Sequence, residues 1–174
     1  LSELKLKSKN YILATAHRSE NVDNPKFLKI IMNSLGEIAK NFSCEVIYPM
    51  HPRTQSKLDL STLPTGVRVI NPLGFYNFSH LLKESLCVIS DSGTAAEEGI
   101  FYGVPNVSLR MATERPETVE SGSTIISGMD PKNIVESVHT AIEVPWAVQY
   151  DFAEHHSPSS VVINCVRSQI TNFF

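Results

Sequence analysis

At 174 residues, with 42% hydrophobic and 19% charged residues, the chain has the size and composition of one globular domain and is too short for two ordinary ones. Its net charge of -3, without a basic run or an interleaved aromatic platform, gives no support for nucleic-acid binding, and no apolar stretch reaches the length of a membrane span. Cys44, Cys87 and Cys165 are far apart and odd in number, which points to reduced thiols in a cytoplasmic protein. The opening Leu1-Ser2-Glu3-Leu4 looks like neither a start nor a targeting signal, so the chain reads as a piece of a longer one.

The first apolar run, 11–16, predicts a strand that leads straight into the polar cluster His17-Arg18-Ser19-Glu20-Asn21. Asn24-Pro25 then opens a helix whose inward stripe is expected at Phe27, Ile30, Ile31, Ser34, Leu35 and Ile38. A second strand over 45–49 ends in His51-Pro52-Arg53-Thr54, and a helix is expected over 55–60. The third strand, 67–70, stops at Asn71-Pro72, and a helix is expected over 79–85. The fourth strand, 86–90, meets Asp91-Ser92-Gly93-Thr94, followed by a helix over 95–101 that ends at Gly103-Val104-Pro105. Further strands are expected over 106–109 and 124–126, a helix over 131–142, and a last helix over 161–170 after a less regular stretch beginning at Pro145-Trp146.

Strands alternating with helices in this rhythm predict a doubly wound, mostly parallel, six-stranded Rossmann-like sheet. Four polar clusters follow the carboxyl ends of strands: His17-Arg18, His51-Arg53, Ser92-Gly93-Thr94 and Glu114-Arg115. One such cluster is ordinary loop composition; four converging on one edge predict a site for an anionic ligand. Within Asp91–Glu98, Gly93 allows close backbone approach, Ser92 and Thr94 offer hydroxyls, and the helix start offers unpaired N–H groups. The competing reading is a capping box, Thr94-x-x-Glu97. No G-x-G-x-x-G, Walker-type loop or G-x-S-x-G elbow occurs, and the histidines show no metal-ligand spacing.

Ala16-His17-Arg18-x-Glu20-Asn21, His51-Pro52, Asp91-Ser92-Gly93-Thr94 with Glu97-Glu98, and Thr113-Glu114-Arg115-Pro116-Glu117 together resemble the carboxy-terminal half of the UDP-N-acetylglucosamine 2-epimerase family. Any one of these motifs is weak, but the ordered set is specific. The resemblance implies one half of a glycosyltransferase-B-like architecture, with the nucleotide held mainly by this domain and the amino-terminal catalytic domain absent from the chain. It implies that Ser92, Gly93 and Thr94 hold the diphosphate, that Glu98 binds the ribose, that Arg115 adds positive charge, and that Phe78 lies near the uracil. His17 matches the histidine of the catalytic site, and Arg18 and His51 match positions that contact a second, activating UDP-sugar in non-hydrolysing bacterial members.

The reaction implied is inversion at C2 of a UDP-N-acetylhexosamine by elimination and re-addition of UDP, without metal or other cofactor, in an enzyme that is a homodimer when full length. The fragment alone is expected to be inactive. Ser19 and Thr94 stand where many members have a second Arg and a second Gly, which resembles a subgroup acting on 6-deoxy sugars, such as the step to UDP-N-acetyl-L-fucosamine for capsule or O-antigen. A glycosyltransferase-B donor domain, a hydrolysing 2-epimerase and a non-catalytic nucleotide-sugar module are the alternatives. His17 as a loop cap, Arg18–Glu20 as a surface ion pair, His51-Pro52 as a turn and Phe78 as core are the plainer readings of the same residues.

Overall fold

In the computed structural model, six strands pair in the order β3-β2-β1-β4-β5-β6, all parallel. They are β1 (Tyr11–Thr15), β2 (Glu45–Pro49), β3 (Val67–Ile70), β4 (Val88–Ser90), β5 (Asn106–Ser108) and β6 (Thr124–Ile126). The structure describes residues 1–144 together with Val162, Ile163, Val166 and Arg167. Of the expected last helix, those four residues are helical and exposed; the rest of it, the stretch from Pro145 and Cys165 lie outside the described residues.

Parallel strands need crossovers, and the helices supply them on both faces. Alternation along the central strands shows the two layers. Ile12, Ala14, Val46, Tyr48 and Ile89 point into a core shared with helices α2 (Pro25–Phe42) and α7 (Pro131–Glu143). Tyr11, Leu13, Ile47 and Val88 point the other way, into a smaller core under α4 (Phe75–Glu84) and α5 (Gly93–Tyr102). Strands buried on both faces read as continuous apolar runs, as these do.

Both long helices on the first face start alike. Asn24 accepts N–H bonds from Lys26 and Phe27 at 3.0 and 3.4 Å, and Asp130 accepts from Lys132 and Asn133 at 3.0 and 3.1 Å, each just before a proline at the first helical position. The inward stripe of α2 is rotated slightly from expectation: Leu28 and Met32 are buried, while Phe27 and Ile30 are half-buried.

Three other expectations change. The helix expected over 55–60 is the short α3 (Pro52–Gln55), started earlier because the His51 ring accepts the Arg53 N–H at 3.2 Å; a 3-10 turn at Leu60–Thr62 follows. Helix α4 begins at Phe75, where the exposed Phe75 and Tyr76 hide the apolar period of its first turn. The segment after Arg115 forms an unexpected five-residue helix, α6 (Pro116–Glu120). A four-residue helix, α1 (Ser19–Val22), completes the set. Among the described residues, no helix is long and apolar enough to cross a membrane.

Candidate functional site

The strand order reverses direction between β1 and β4, so the loops leaving these two neighbours swing to opposite faces and open a crevice at their carboxyl ends. Thr15 is in register with Ser90, and Ser90 with Ser108. The loops after β1, β4 and β5 therefore leave the sheet side by side. They carry His17-Arg18, Ser92-Gly93-Thr94 and Glu114-Arg115.

Asp91 holds them together. It follows β4 directly and is fully buried. Its carboxylate accepts the backbone N–H of His17 at 3.1 Å to each oxygen, that of Arg18 at 3.0 Å and the Asn21 side-chain amide at 3.0 Å. The Arg18 Nε donates to the Asp91 carbonyl at 2.8 Å, and Asn21, also buried, donates to the Leu109 carbonyl at 3.1 Å. On the neighbouring strand, the Tyr48 hydroxyl donates to the Ala16 carbonyl at 2.7 Å. Burial, and then the charge of Asp91, push the Tyr48 hydroxyl pKa up and keep it a neutral donor. A carboxylate can be buried only if its lone pairs are satisfied, and here backbone and amide donors do that work. The result is a rigid turn that fixes His17 and Arg18 relative to the start of α5.

Ser92 is the N-cap of α5, and its side chain caps nothing; its hydroxyl lies 2.9 Å from that of Thr94. The Ser92 N–H donates to Ser90 Oγ at 2.9 Å. The competing capping box does not form: the helix starts one residue before Thr94, with Ser92 as N-cap, so Glu97 lies beyond the third helical position, and it pairs with Arg115 Nε. The amino end of α5 thus presents main-chain N–H groups that no side chain of the described residues caps, an arrangement suited to an anion. A Cβ placed on Gly93 would sit 3.5 Å from Glu114 Oε1 and 3.7 Å from Arg115 Cγ, so the β5 loop lies directly against the amino end of α5.

Charge at this rim is arranged in pairs. Glu114 bridges Arg18, at 3.3 Å, and Arg110. The hydrogen bond from Arg110 is the main cause that holds the Glu114 carboxyl below its ordinary pKa. Arg18 also lies 3.9 Å from Glu20, so three arginines, Arg18, Arg110 and Arg115, face three glutamates, Glu20, Glu97 and Glu114, beside the start of α5.

Of the residues singled out from the sequence, His17, Arg18, Ser92, Gly93, Thr94 and Arg115 meet in this one place. Glu98 lies farther along α5, where Ser79 of α4 donates to its Oε2 at 3.3 Å, and Phe78, the residue before Ser79, is half-buried against the smaller core. His51 stands farther along the rim, its ring engaged with Arg53; Arg53 and Lys57 both pair with Asp23, just past α1. A separate hollow of about 410 Å³ between α2 and the segment 57–64 shares none of the residues around the start of α5.

Residues 1–158 match the UDP-N-acetylglucosamine 2-epimerase family. The chain belongs to that family. Over 166 residues it is 35% identical to the UDP-N-acetylglucosamine 2-epimerase of Methanococcus maripaludis, an overlap covering 92% of this chain and 45% of that protein. Over 132 residues it is 39% identical to the UDP-2,3-diacetamido-2,3-dideoxy-D-glucuronate 2-epimerase of Pseudomonas aeruginosa, covering 76% of this chain and 37% of that one. The crystal structure of the Methanocaldococcus jannaschii UDP-GlcNAc 2-epimerase in complex with UDP-GlcNAc and UDP superposes with a TM-score of 0.73 at 32% identity, over 82% of this chain and 42% of that one. The chain spans less than half the length of these relatives. Its fold is one half of the glycosyltransferase-B-like architecture that such epimerases share with glycosyltransferases.

Sequence reasoning gave no role to Asp91, Asn21 or Tyr48 in this epimerase-family site. A signal for the first was present: an acidic residue ending a five-residue apolar run, at a place where the chain is buried on every side. Asn21 is marked only as the last residue of the motif that begins at Ala16, and nothing marks Tyr48, whose partner is a distant backbone carbonyl.

Proposed function

We propose that this chain is the UDP-binding half of a non-hydrolysing UDP-N-acetylhexosamine 2-epimerase, whose amino-terminal half supplies the bases at the sugar. The observation that carries this reading is the uncapped amino end of α5 set beside Arg18 and Arg115 at the point where the sheet reverses, in a chain of this family. Ser92, Gly93 and Thr94 hold the diphosphate through N–H and hydroxyl groups, and Arg115 neutralises charge. Glu98 accepts from the ribose hydroxyls, and Phe78, one residue before the serine that binds Glu98, lies at the base end. Arg18 and His51 face an activating second UDP-sugar.

In the reaction, the C1–O bond breaks with its electron pair passing to the diphosphate, a base takes the C2 proton, and a C1–C2 double bond remains. Reprotonation at the other face of C2 and return of UDP to C1 complete the inversion. The cost of the first step is charge developing on the diphosphate, and the α5 N–H groups, Arg115 and His17 stabilise it. For the sugar, Ser19 and Thr94 favour a 6-deoxy hexosamine for capsule or O-antigen, beside relatives named for UDP-N-acetylglucosamine and for a diacetamido glucuronate.

The whole protein incubated with UDP-GlcNAc, or with the 6-deoxy UDP-N-acetylhexosamine, in deuterated water should return a UDP-sugar epimeric at C2 and carrying deuterium there. Free sugar and UDP would instead mark a hydrolysing enzyme. Transfer of the sugar to an added acceptor, without exchange at C2, would mark a glycosyltransferase.

A further inference from the structure

One buried side chain touches every part of the turn that carries His17. Both Asp91 oxygens accept the His17 backbone N–H, and the Arg18 N–H and Asn21 amide complete the set on one oxygen. The other oxygen lies 3.4 Å from His17 Nδ1, with the Asp91 side chain 0% exposed and that of His17 56% exposed. One ring edge of His17 therefore faces a fixed carboxylate and the other faces the open rim.

We infer that Asp91 is a positioning residue: it sets the rotation and tautomer of the His17 ring, with Nδ1–H turned inward and Nε2 presented to the rim beside the start of α5. The physical reason is that an ionised carboxylate only accepts hydrogen bonds, so the ring nitrogen beside it is held as the donor, and the other nitrogen becomes the one available to a ligand. The same carboxylate already fixes the backbone on both sides of the ring's Cα. Ring and turn are thus set by one group, which belongs to the strand that leads into α5 through Ser92. Whatever binds at the amino end of α5 meets a His17 ring whose orientation is set from below by Asp91. The tautomer is argued from the 3.4 Å approach of Asp91 Oδ1 to Nδ1, a distance in the ion-pair range; its consequence for turnover rests on the epimerase reading given above.

Nitrogen-15 NMR of the histidine side chains in this chain tests the tautomer without any substrate. Neutral His17 should be in the Nδ1–H form, whereas a histidine free in water favours Nε2–H. Asp91→Asn replaces one acceptor oxygen by an amide donor and should return His17 to mainly Nε2–H while the chain remains folded. A wild-type His17 in the Nε2–H form, or a folded Asp91→Asn chain that keeps Nδ1–H, would overturn the inference; if the variant does not fold, the wild-type spectrum still decides. In the whole protein, Asp91→Asn should lower kcat roughly 10²-fold with KM nearly unchanged, since a misdirected ring nitrogen affects the transition state more than binding. A rise in KM with kcat intact would contradict it. Loss of C2 exchange in the wild type would instead sink the epimerase reading and leave the tautomer result standing.

Discussion

Asn21 and Arg115 show how different two polar residues at one rim can be. Asn21 is buried, and its amide bridges the Asp91 carboxylate and the Leu109 carbonyl, so Asn21→Ala strands acceptors on two strands. A loss of about 1–3 kcal/mol in stability is expected, read as a lower urea midpoint with the slope unchanged. Arg115 is half-exposed and paired with Glu97, so its removal hardly affects folding. Arg115→Ala should instead weaken UDP binding about 10-fold or more, the scale of one charge-assisted hydrogen bond. Glu97→Gln, which releases the guanidinium from its partner, should not weaken it, and calorimetry of the two variants separates ligand contact from mere ion pairing. Glu114 adds a pH signature. Its carboxyl is held below its ordinary value by Arg110, so its stabilisation is fully present above that ordinary value of 4.5 and is lost as pH falls through the lower folded value. The difference in melting temperature between wild type and Glu114→Gln should be constant from neutral pH down to about 4.5 and shrink below it.

At the scale of elements, α5 decides how closely the site can be built. Gly99 faces the Val104 carbonyl so tightly that an added Cβ would lie 2.9 Å from it, which sets the helix hard against the strand that follows. Gly99→Ala should cost roughly 1–3 kcal/mol, with a fall in melting temperature, because a backbone carbonyl must move. The strands and the long capped helices were legible because each carries its own local signal: a buried β-branched run, a proline after Asn24 or Asp130, a glycine at the end of α5. The family motifs made the rim legible too, and His17, Ser92 and Arg115 do converge. What the sequence hid was the choice between partners. Glu97 had two, its own helix cap or Arg115, and the start of α5 at Gly93 rather than Ala95 takes the cap out of its reach and leaves Arg115. The role of Asp91, though its position was marked, was hidden for a related reason: the donors that satisfy it lie 70 or more positions away along the chain.

Across the whole molecule, the candidate site is an open rim with one wall, formed by loops from a sheet that spans less than half the length of the chain's relatives. Under the proposed function, a single wall of this kind would grip a diphosphate through main-chain N–H groups and arginines, while the base at the sugar carbon comes from the other half of the protein. The chain alone should therefore bind UDP and fail to exchange the C2 proton of a UDP-N-acetylhexosamine. The most direct test of the central claim is a titration of this chain with UDP, followed by backbone amide shifts. Saturable shifts at millimolar UDP or below, concentrated at Arg18, Ser92, Gly93, Thr94 and Arg115, are what this account requires. Absence of any shift, or shifts gathered around the hollow between α2 and the segment 57–64, would contradict it.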